Sequence, residues 1–511
     1  MNGKKSPFSP NHVSRRRFIQ SVSAGAVATA AIAGGVIRPV RAANAIPVNR
    51  FGRMFPTLPS FASQSKKMEQ ALMALGEKGG LLDANDDLAA GPVALITDPS
   101  LSANNPNNPT HGAGVTFMGQ FIDHDLTLDT TSQLAVQAQP EKTINQRTPY
   151  FDLDSIYGNG PSASAELYDP LDPAKLKVET GGLFEDVPRD LNGRALLGDA
   201  RNDENIILSG LHAAFLLFHN RAVDELRSEA APEADVFQLA RRLTTWHYQW
   251  MVVHEFLPLY IGQNLATEIL EAGPRYVGPE QKGIPVEFQT GAYRFGHSMV
   301  RPSYRANLAG DNGQPFFGFI FDPAEFGKVD GDDLTGGSRA PRRFIGWQTF
   351  FNFGDGELKP NKKIDTHVST PLFNLPPIAI PGGPSVLVQR TLLRHLTWQI
   401  PSGQRIARAM GAPILSDADL QELSQFDNSL LESTPLFYYV LKEAELVESG
   451  EHLGPVGGRI VGEVFVNNLR NDPDSYLNVD PNWVPTVGGG SSFRMTNFLT
   501  YARVDPASRG Q

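Results

Sequence analysis

Apolar residues in this chain recur mostly at intervals of three and four, the spacing of a helix face, and seldom in the two-residue alternation of a half-buried strand. Phe61 to Leu75 reads as a short amphipathic helix that stops at Gly76. Residues 79–113, rich in Asp, Asn, Pro and Gly, read as an irregular lead-in to an apolar stretch at 117–125. Residues 130–147 and 159–195 read as loops. Asp199 is a candidate cap for a helix whose face is Ile206, Leu208, Leu211, Ala214, Phe215, Phe218 and Val223. A second long helix is expected from about Asp235 to Leu257, stopped by Pro258, which has no N–H to donate. A third carries Phe288, Ala292, Phe295 and Met299 on one stripe and ends at Arg301-Pro302. Residues 303–322 suggest a hairpin, and 323–385 an irregular stretch. Helical spacing returns at 388–410, 417–427, 432–449 and 456–470. There is no internal repeat and no linker. The prediction is one large, mainly α-helical domain over residues 46–511, with few short strands and long loops.

Residues 1–45 stand apart. Ser14-Arg15-Arg16-Arg17-Phe18 followed by a small apolar run fits a twin-arginine export signal, with Ala43-Asn44-Ala45 as a cleavage site. This predicts a folded protein delivered to the periplasm or outside the cell. Beyond that run no stretch approaches 18 apolar residues, so no membrane span is expected. The leader holds seven of the 45 basic residues and no acids. Residues 46–511 therefore carry 38 basic against 55 acidic groups, which argues against a nucleic-acid partner. With no cysteine, disulfides, thiolate metal ligands and a cysteine nucleophile are all excluded.

The stretch Gly119-Gln120-Phe121-Ile122-Asp123-His124-Asp125 concentrates chemistry in an apolar setting. On a helix, Gln120 and His124 share a face. Asp123 and Asp125 lie about 100° to either side of His124. Such a turn can aim an imidazole and an amide at a bound group, with one carboxylate at its edge and one pointing away. Alone, Asp123-His124-Asp125 reads first as a helix end with a satisfied histidine and solvated acids. Downstream, Thr148, Tyr150, Asp152 and Asp154 place a hydroxyl, a backbone carbonyl and two carboxylates at alternate positions. That set makes a hard-cation cage, with Asp125 as a third carboxylate and calcium as the expected ion; the alternative is an Asp-rich surface turn. His297 follows Gly296, whose missing side chain would let a planar group come close.

Taken together, these pieces resemble the animal-type haem peroxidases of the peroxidase–cyclooxygenase superfamily, and its bacterial members most. The resemblance runs from about residue 50 to about 500. It rests on Gly119 to Asp125, Thr148 to Gly158, Gly198-Asp199-Ala200-Arg201 through Glu204, Tyr293-Arg294-Phe295-Gly296-His297, Pro401-Ser402-Gly403-Gln404 and Gly450 to Arg459. It implies a peroxidase-like helical fold, haem b and calcium as cofactors, and hydrogen peroxide with small electron donors as substrates. His124 then corresponds to the distal histidine, Arg201 to the distal arginine and Gln120 to the distal amide. His297 corresponds to the proximal iron ligand, and Arg294 and Arg394 to partners of the haem propionates. Asp123 and Glu204 match the carboxylates that become haem esters. Asp125, Thr148, Tyr150, Asp152 and Asp154 match the calcium site.

Three departures stand out. Thr391 replaces the asparagine that accepts the proximal histidine's other N–H, and its shorter side chain puts that contact in question. Asn205 replaces a methionine linked to haem in the chloride-oxidising member, which argues against chloride oxidation. Asp154 replaces a serine common in the mammalian enzymes, adding charge at the calcium site. Two other readings remain. One is a fatty-acid dioxygenase of the cyclooxygenase branch, whose radical tyrosine lies three residues before the proximal histidine; that position is Arg294 here, and Tyr293 is one residue away. The other is a haem- or calcium-binding adhesion protein with little turnover.

Overall fold

The computed structural model describes residues 49–511, apart from 102, 279, 282, 338 and 377–382. The export-signal expectation lies outside the described residues. The principal helices are α1 (Lys66–Leu75), α2 (Gly91–Thr97), α3 (Gly114–Leu126), α4 (Ile206–Ser228), α5 (Glu233–Met251), α6 (Gln263–Ala272), α7 (Leu387–Thr397), α8 (Gly403–Met410), α9 (Leu436–Val447) and α10 (Pro455–Asn471). The longer strands are β1 (Asn107–Gly112), β2 (Ser303–Asp311), β3 (Gln314–Phe319) and β4 (Pro360–Lys362). The fold is mainly helical, as expected.

Helix α3 runs through the middle of the core, with eleven of its thirteen residues buried. Its apolar face packs on α4, where the Phe121 and Phe215 rings stack at 4.7 Å. Gly119 allows another close contact: a Cβ there would lie 3.0 Å from the Tyr260 hydroxyl, and that hydroxyl donates to the Val115 carbonyl. One continuous hydrophobic core joins these helices to α9 and α10. The hairpin forms as predicted. β2 and β3 pair antiparallel across Asn312 and Gly313, both at positive φ, the backbone that a tight hairpin turn needs.

Several elements differ from the periodicity. The irregular lead-in contains α2 and β1; β1 is tied to β4, a partner distant in sequence. The element opened by Asp199 is two pieces. Asp199 caps a single turn, Ala200–Asp203, and Asn205 caps α4 itself by accepting from the Leu208 N–H. Pro258 does not end the second long helix. A wider turn over Val252–Phe256 gives Leu257 N–H the Val252 carbonyl, and the chain continues helically to Ile261. Pro258 thus falls in the first turn of a new segment, where its missing N–H leaves no bond unmade. The third helix is a succession of short turns over 287–299. The stretch 388–410 is broken between α7 and α8, where Gln399 takes positive φ and Ser402 caps α8.

The expectation that no later stretch is long and apolar enough to span a membrane also needs correction. α4 meets that test by length and composition, but 83% of its apolar window is buried inside the protein. Its hydrophobicity is that of a core helix.

Candidate active site

Helix α3 delivers Gln120, Asp123 and His124 to a cavity of about 1140 Å³, its open mouth included. Arg201, Glu204 and Asn205 reach the same cavity from the turn before α4. Tyr293, Arg294, Gly296 and His297 reach it from the segment of short turns. Residues more than 170 positions apart are thus gathered into one space.

His124 is buried. Burial and the neighbouring Arg201 charge push its imidazole down to about 4, despite the opposing pull of Asp199 and Asp123. It is therefore neutral at pH 7 and able to accept a proton. Its Nδ1 lies 2.9 Å from Asn202 Oδ1. Arg201 is gripped by Asp199 in a two-pronged pair, with Nε at 3.0 Å and Nη2 at 2.8 Å. Burial alone would raise the Asp199 carboxyl, but Arg201 outweighs it and holds it near 2. Arg201 Nη2 also donates to the Thr127 carbonyl at 2.6 Å. Gln120 is clamped too: its Nε2 donates to Glu204 Oε2 at 3.2 Å, and its Oε1 accepts from Asn205 Nδ2 at 3.4 Å.

The two acids at the cavity differ in state. Burial raises Glu204 to about 7, with Arg201 opposing in part. Burial also raises Asp123, but Arg294 and Arg201 more than offset it, and the net shift is downward. Asp123 Oδ2 lies 3.3 Å from Arg294 Nη1, and Oδ1 accepts from the Thr127 hydroxyl. Asp203, next to Glu204, forms a two-pronged pair with Arg189 at 2.7 and 3.0 Å and does not compete for the cavity.

Burial and the Arg294 charge push His297 down to about 3. Thr391 does reach it: Oγ1 lies 3.4 Å from His297 Nδ1, at the long end of hydrogen bonding. The Thr391 hydroxyl spends its proton on the Leu387 carbonyl at 3.1 Å. Its lone pairs are left to accept from Nδ1–H, so the Nε2 lone pair is free for a metal. The structure separates the two expected propionate partners. Arg294 lines the cavity. Arg394 does not; it donates to Asp129 at 2.9 Å and to Ser132 at 2.8 Å. One helical turn earlier, Arg390 lines the wall.

Asp125 points away from the cavity, as its helical position requires. Its carboxylate accepts from the Ser155 hydroxyl at 2.9 Å and the Leu153 N–H at 3.3 Å. Carboxylate oxygens of Asp125, Asp152 and Asp154 all lie within 4.8 Å of one another. The Thr148 hydroxyl donates to Asp152 and its N–H to Asp154, with Tyr150 on the loop between. Burial, then the Asp154 and Asp152 charges, push Asp125 well up; burial and Asp152 raise Asp154 to about 7. One buried and two half-buried carboxylates this close together have the chemistry of a hard divalent cation site.

Residues 126–328 match the sequence profile of the animal haem peroxidase family. The chain carries an animal haem peroxidase domain. The matched stretch holds Arg201, Glu204 and His297; His124 lies just before it. Lactoperoxidase from Mesocricetus auratus is 31% identical over 203 residues, covering 35% of this chain and 28% of that protein. The chain spans less than half the length of the first curated relatives it matches. Peroxidase A from Dictyostelium discoideum superposes with a TM-score of 0.57 at 18% identity, covering 89% of this chain and 93% of that one. A fatty acid alpha-dioxygenase from Arabidopsis thaliana gives 0.52 at 15% identity, covering 85% and 75%. These two likenesses concern the fold.

The cofactor of this family is haem, and the peroxidase domain has the residues for it. His297 Nε2 has no partner among the described residues. A Cβ at Gly296 would meet nothing within 4 Å, so the backbone beside His297 borders open space. Arg294 and Arg390 line the same cavity and can meet carboxylates. Sequence reasoning missed three contributors. In the sequence Asp199 signals only a cap, and its grip on Arg201 depends on a side-chain orientation invisible to periodicity. Arg390 carries the right charge one turn from the expected Arg394. Asn202 gave no signal, because nothing in the local pattern says which way its amide points.

Proposed function

We propose that this domain is a haem peroxidase. It reduces hydrogen peroxide and oxidises small anions (bromide, iodide, thiocyanate) or small aromatic donors. The observation that carries the reading is the neutral, buried His124 sharing one cavity with Arg201, Gln120 and a second neutral imidazole, His297. His297 would hold the iron of haem b through Nε2, with Thr391 accepting at Nδ1. Bound haem supplies the redox chemistry. His124 takes a proton from the incoming peroxide and returns it to the departing oxygen, which leaves as water. Arg201, fixed in charge and locked by Asp199, offsets the negative charge that develops as the O–O bond lengthens. Gln120 orders water or a small anion beside them. The Asp125–Asp152–Asp154 cluster binds calcium with Thr148 and Tyr150, tying the 148–154 loop to the helix that carries His124. Residues 1–45 direct export by the twin-arginine route, to the periplasm or beyond.

The decisive test is the absorption spectrum of the purified protein with stopped-flow addition of peroxide. A haem spectrum that responds within the mixing experiment supports the reading; a protein purified without haem that fails to take it up refutes it. The dioxygenase reading is weaker. Arg294, at the radical-tyrosine position, is engaged with Asp123, and the Tyr293 phenol donates to the Gly119 carbonyl at 3.2 Å. Oxygen uptake with linoleate would reinstate it.

Asp123 and Glu204 are proposed to form esters with haem methyl groups. Both line the cavity, and Asp203 is held elsewhere by Arg189. Peroxide turnover should therefore raise the fraction of haem that resists acid–acetone extraction. Mass spectrometry should find it on a peptide containing Asp123 or Glu204. Haem that extracts fully after repeated turnover rules out the linkage and leaves the peroxidase reading intact.

A further inference from the structure

The proton-accepting nitrogen of His124 is selected by a buried chain that runs away from the cavity. Asn202 is fully buried. Its Oδ1 lies 2.9 Å from His124 Nδ1, and its Nδ2 lies 3.1 Å from Nδ1 of His212, a buried histidine on α4. An amide oxygen can only accept and an amide nitrogen can only donate. His124 Nδ1 must therefore carry the proton, leaving the lone pair on Nε2. His212 Nδ1 must be the acceptor. Neither Asn202 nor His212 lines the cavity. The direction of the whole chain depends on its inner end. If His212 stops accepting, the Asn202 amide can rotate by 180°, present N–H to His124 Nδ1 and move the imidazole proton to Nε2. An Nε2 that already carries a proton cannot accept one from substrate.

Resting on the reading of His124 as the proton acceptor, we infer that Asn202 and His212 are positioning residues that hold His124 in its Nδ1–H tautomer. The placement explains why a second histidine is buried ten residues after Asn202 with its ring nitrogen on the amide.

Cyanide binding to the haem-loaded protein reads this out without turnover. Hydrogen cyanide must give its proton to the His124 Nε2 lone pair before the anion binds. The comparison uses His124→Leu, Asn202→Leu, Asn202→Asp, His212→Leu and His212→Gln, with haem content and Tm recorded for each. Asn202→Leu removes the acceptor and should slow cyanide association by roughly 10²-fold, the scale of losing general-base help. Asn202→Asp keeps an acceptor and should stay within about threefold of wild type, on the same scale. His212→Leu should slow association at least tenfold, while His212→Gln, whose side-chain oxygen can accept, should restore most of the rate. The His212 pair decides the matter if the Asn202 variants do not fold. Wild-type rates in Asn202→Leu or His212→Leu overturn the inference. So does an equal loss in the conservative and leucine variants, which would mark a packing role. If His124→Leu itself binds cyanide at the wild-type rate, the reading of His124 fails as well. If His124→Leu is slow and the other variants are not, only the relay fails.

Discussion

Replacing His124 by leucine is expected to slow the first reaction with hydrogen peroxide by roughly 10²–10⁴-fold, the range for removing a general acid–base group. The bound haem spectrum should change little. The size of the effect follows from the site's composition. Among the other groups at the cavity, Arg201 is a permanent cation, and Glu204 is paired with Gln120. Asp123 is pulled down by Arg294 and Arg201 and is a weaker base than a neutral imidazole. His297 would be occupied at Nε2 by iron. Leucine keeps much of the side-chain volume and removes both ring nitrogens, including the one bonded to Asn202. Stopped-flow formation of the first oxidised species measures it, at peroxide concentrations low enough to stay second order. A rate within tenfold of wild type would identify another base and remove the central support for the proposed mechanism.

The second large effect concerns the acid cluster. Asp125, Asp152 and Asp154 all sit above their ordinary carboxylate range in the ion-free protein, Asp154 at about 7, through burial, with repulsion between the acids adding at Asp125 and Asp154. A carboxyl raised on folding stabilises the folded state while it is protonated, and that contribution is lost as pH rises through the folded value. Chelator-treated protein should therefore become less heat-stable as pH rises from about 4, the ordinary carboxylate value, to about 7, the raised Asp154 value. Calcium should abolish this slope, because its charge compensates the ionised trio. At about a thousandfold excess over its Kd, the ion is worth roughly 4 kcal/mol. Asp152→Asn sharpens the test: it should raise the stability of chelated protein and lower that of calcium-loaded protein. Differential scanning calorimetry at several pH values, with and without calcium, distinguishes these cases. If neither calcium nor pH shifts the transition, the 148–154 loop is only an acidic turn. The haem spectrum should respond too, since Asp125 directly follows His124 on α3 and anchors it to Leu153 and Ser155.

What was legible in the chain was what depends on near neighbours. Helical spacing predicted α9 and α10 within a few residues, and the apolar faces but not the starts of α1 and α4, because each buries apolar residues against the core. The order of Gln120, His124, Arg201, Glu204 and His297 was sufficient to suggest the site, because each lies in a short motif whose residue types carry the chemistry. Alternation along 148–154 marked the acidic loop that meets Asp125 for the same reason. Local reasoning failed where a distant partner supplied the missing bond. β1 depends on β4, some 250 positions away, and an edge of Asn, Pro and Gly has no strand signal of its own. Pro258 looked like a stop, but a wider turn stabilised by surrounding packing carries the helix past it. Tertiary structure alone decided which side chain holds which. Asp199 locks Arg201, Asp203 is withdrawn by Arg189, Arg390 rather than Arg394 faces the cavity, and Thr391 just reaches His297. It also set the direction of the Asn202 amide between two histidines. Sequence spacing says which residues can share a face. Which hydrogen bonds close is settled only when burial excludes water and each polar group must find its partner in the protein.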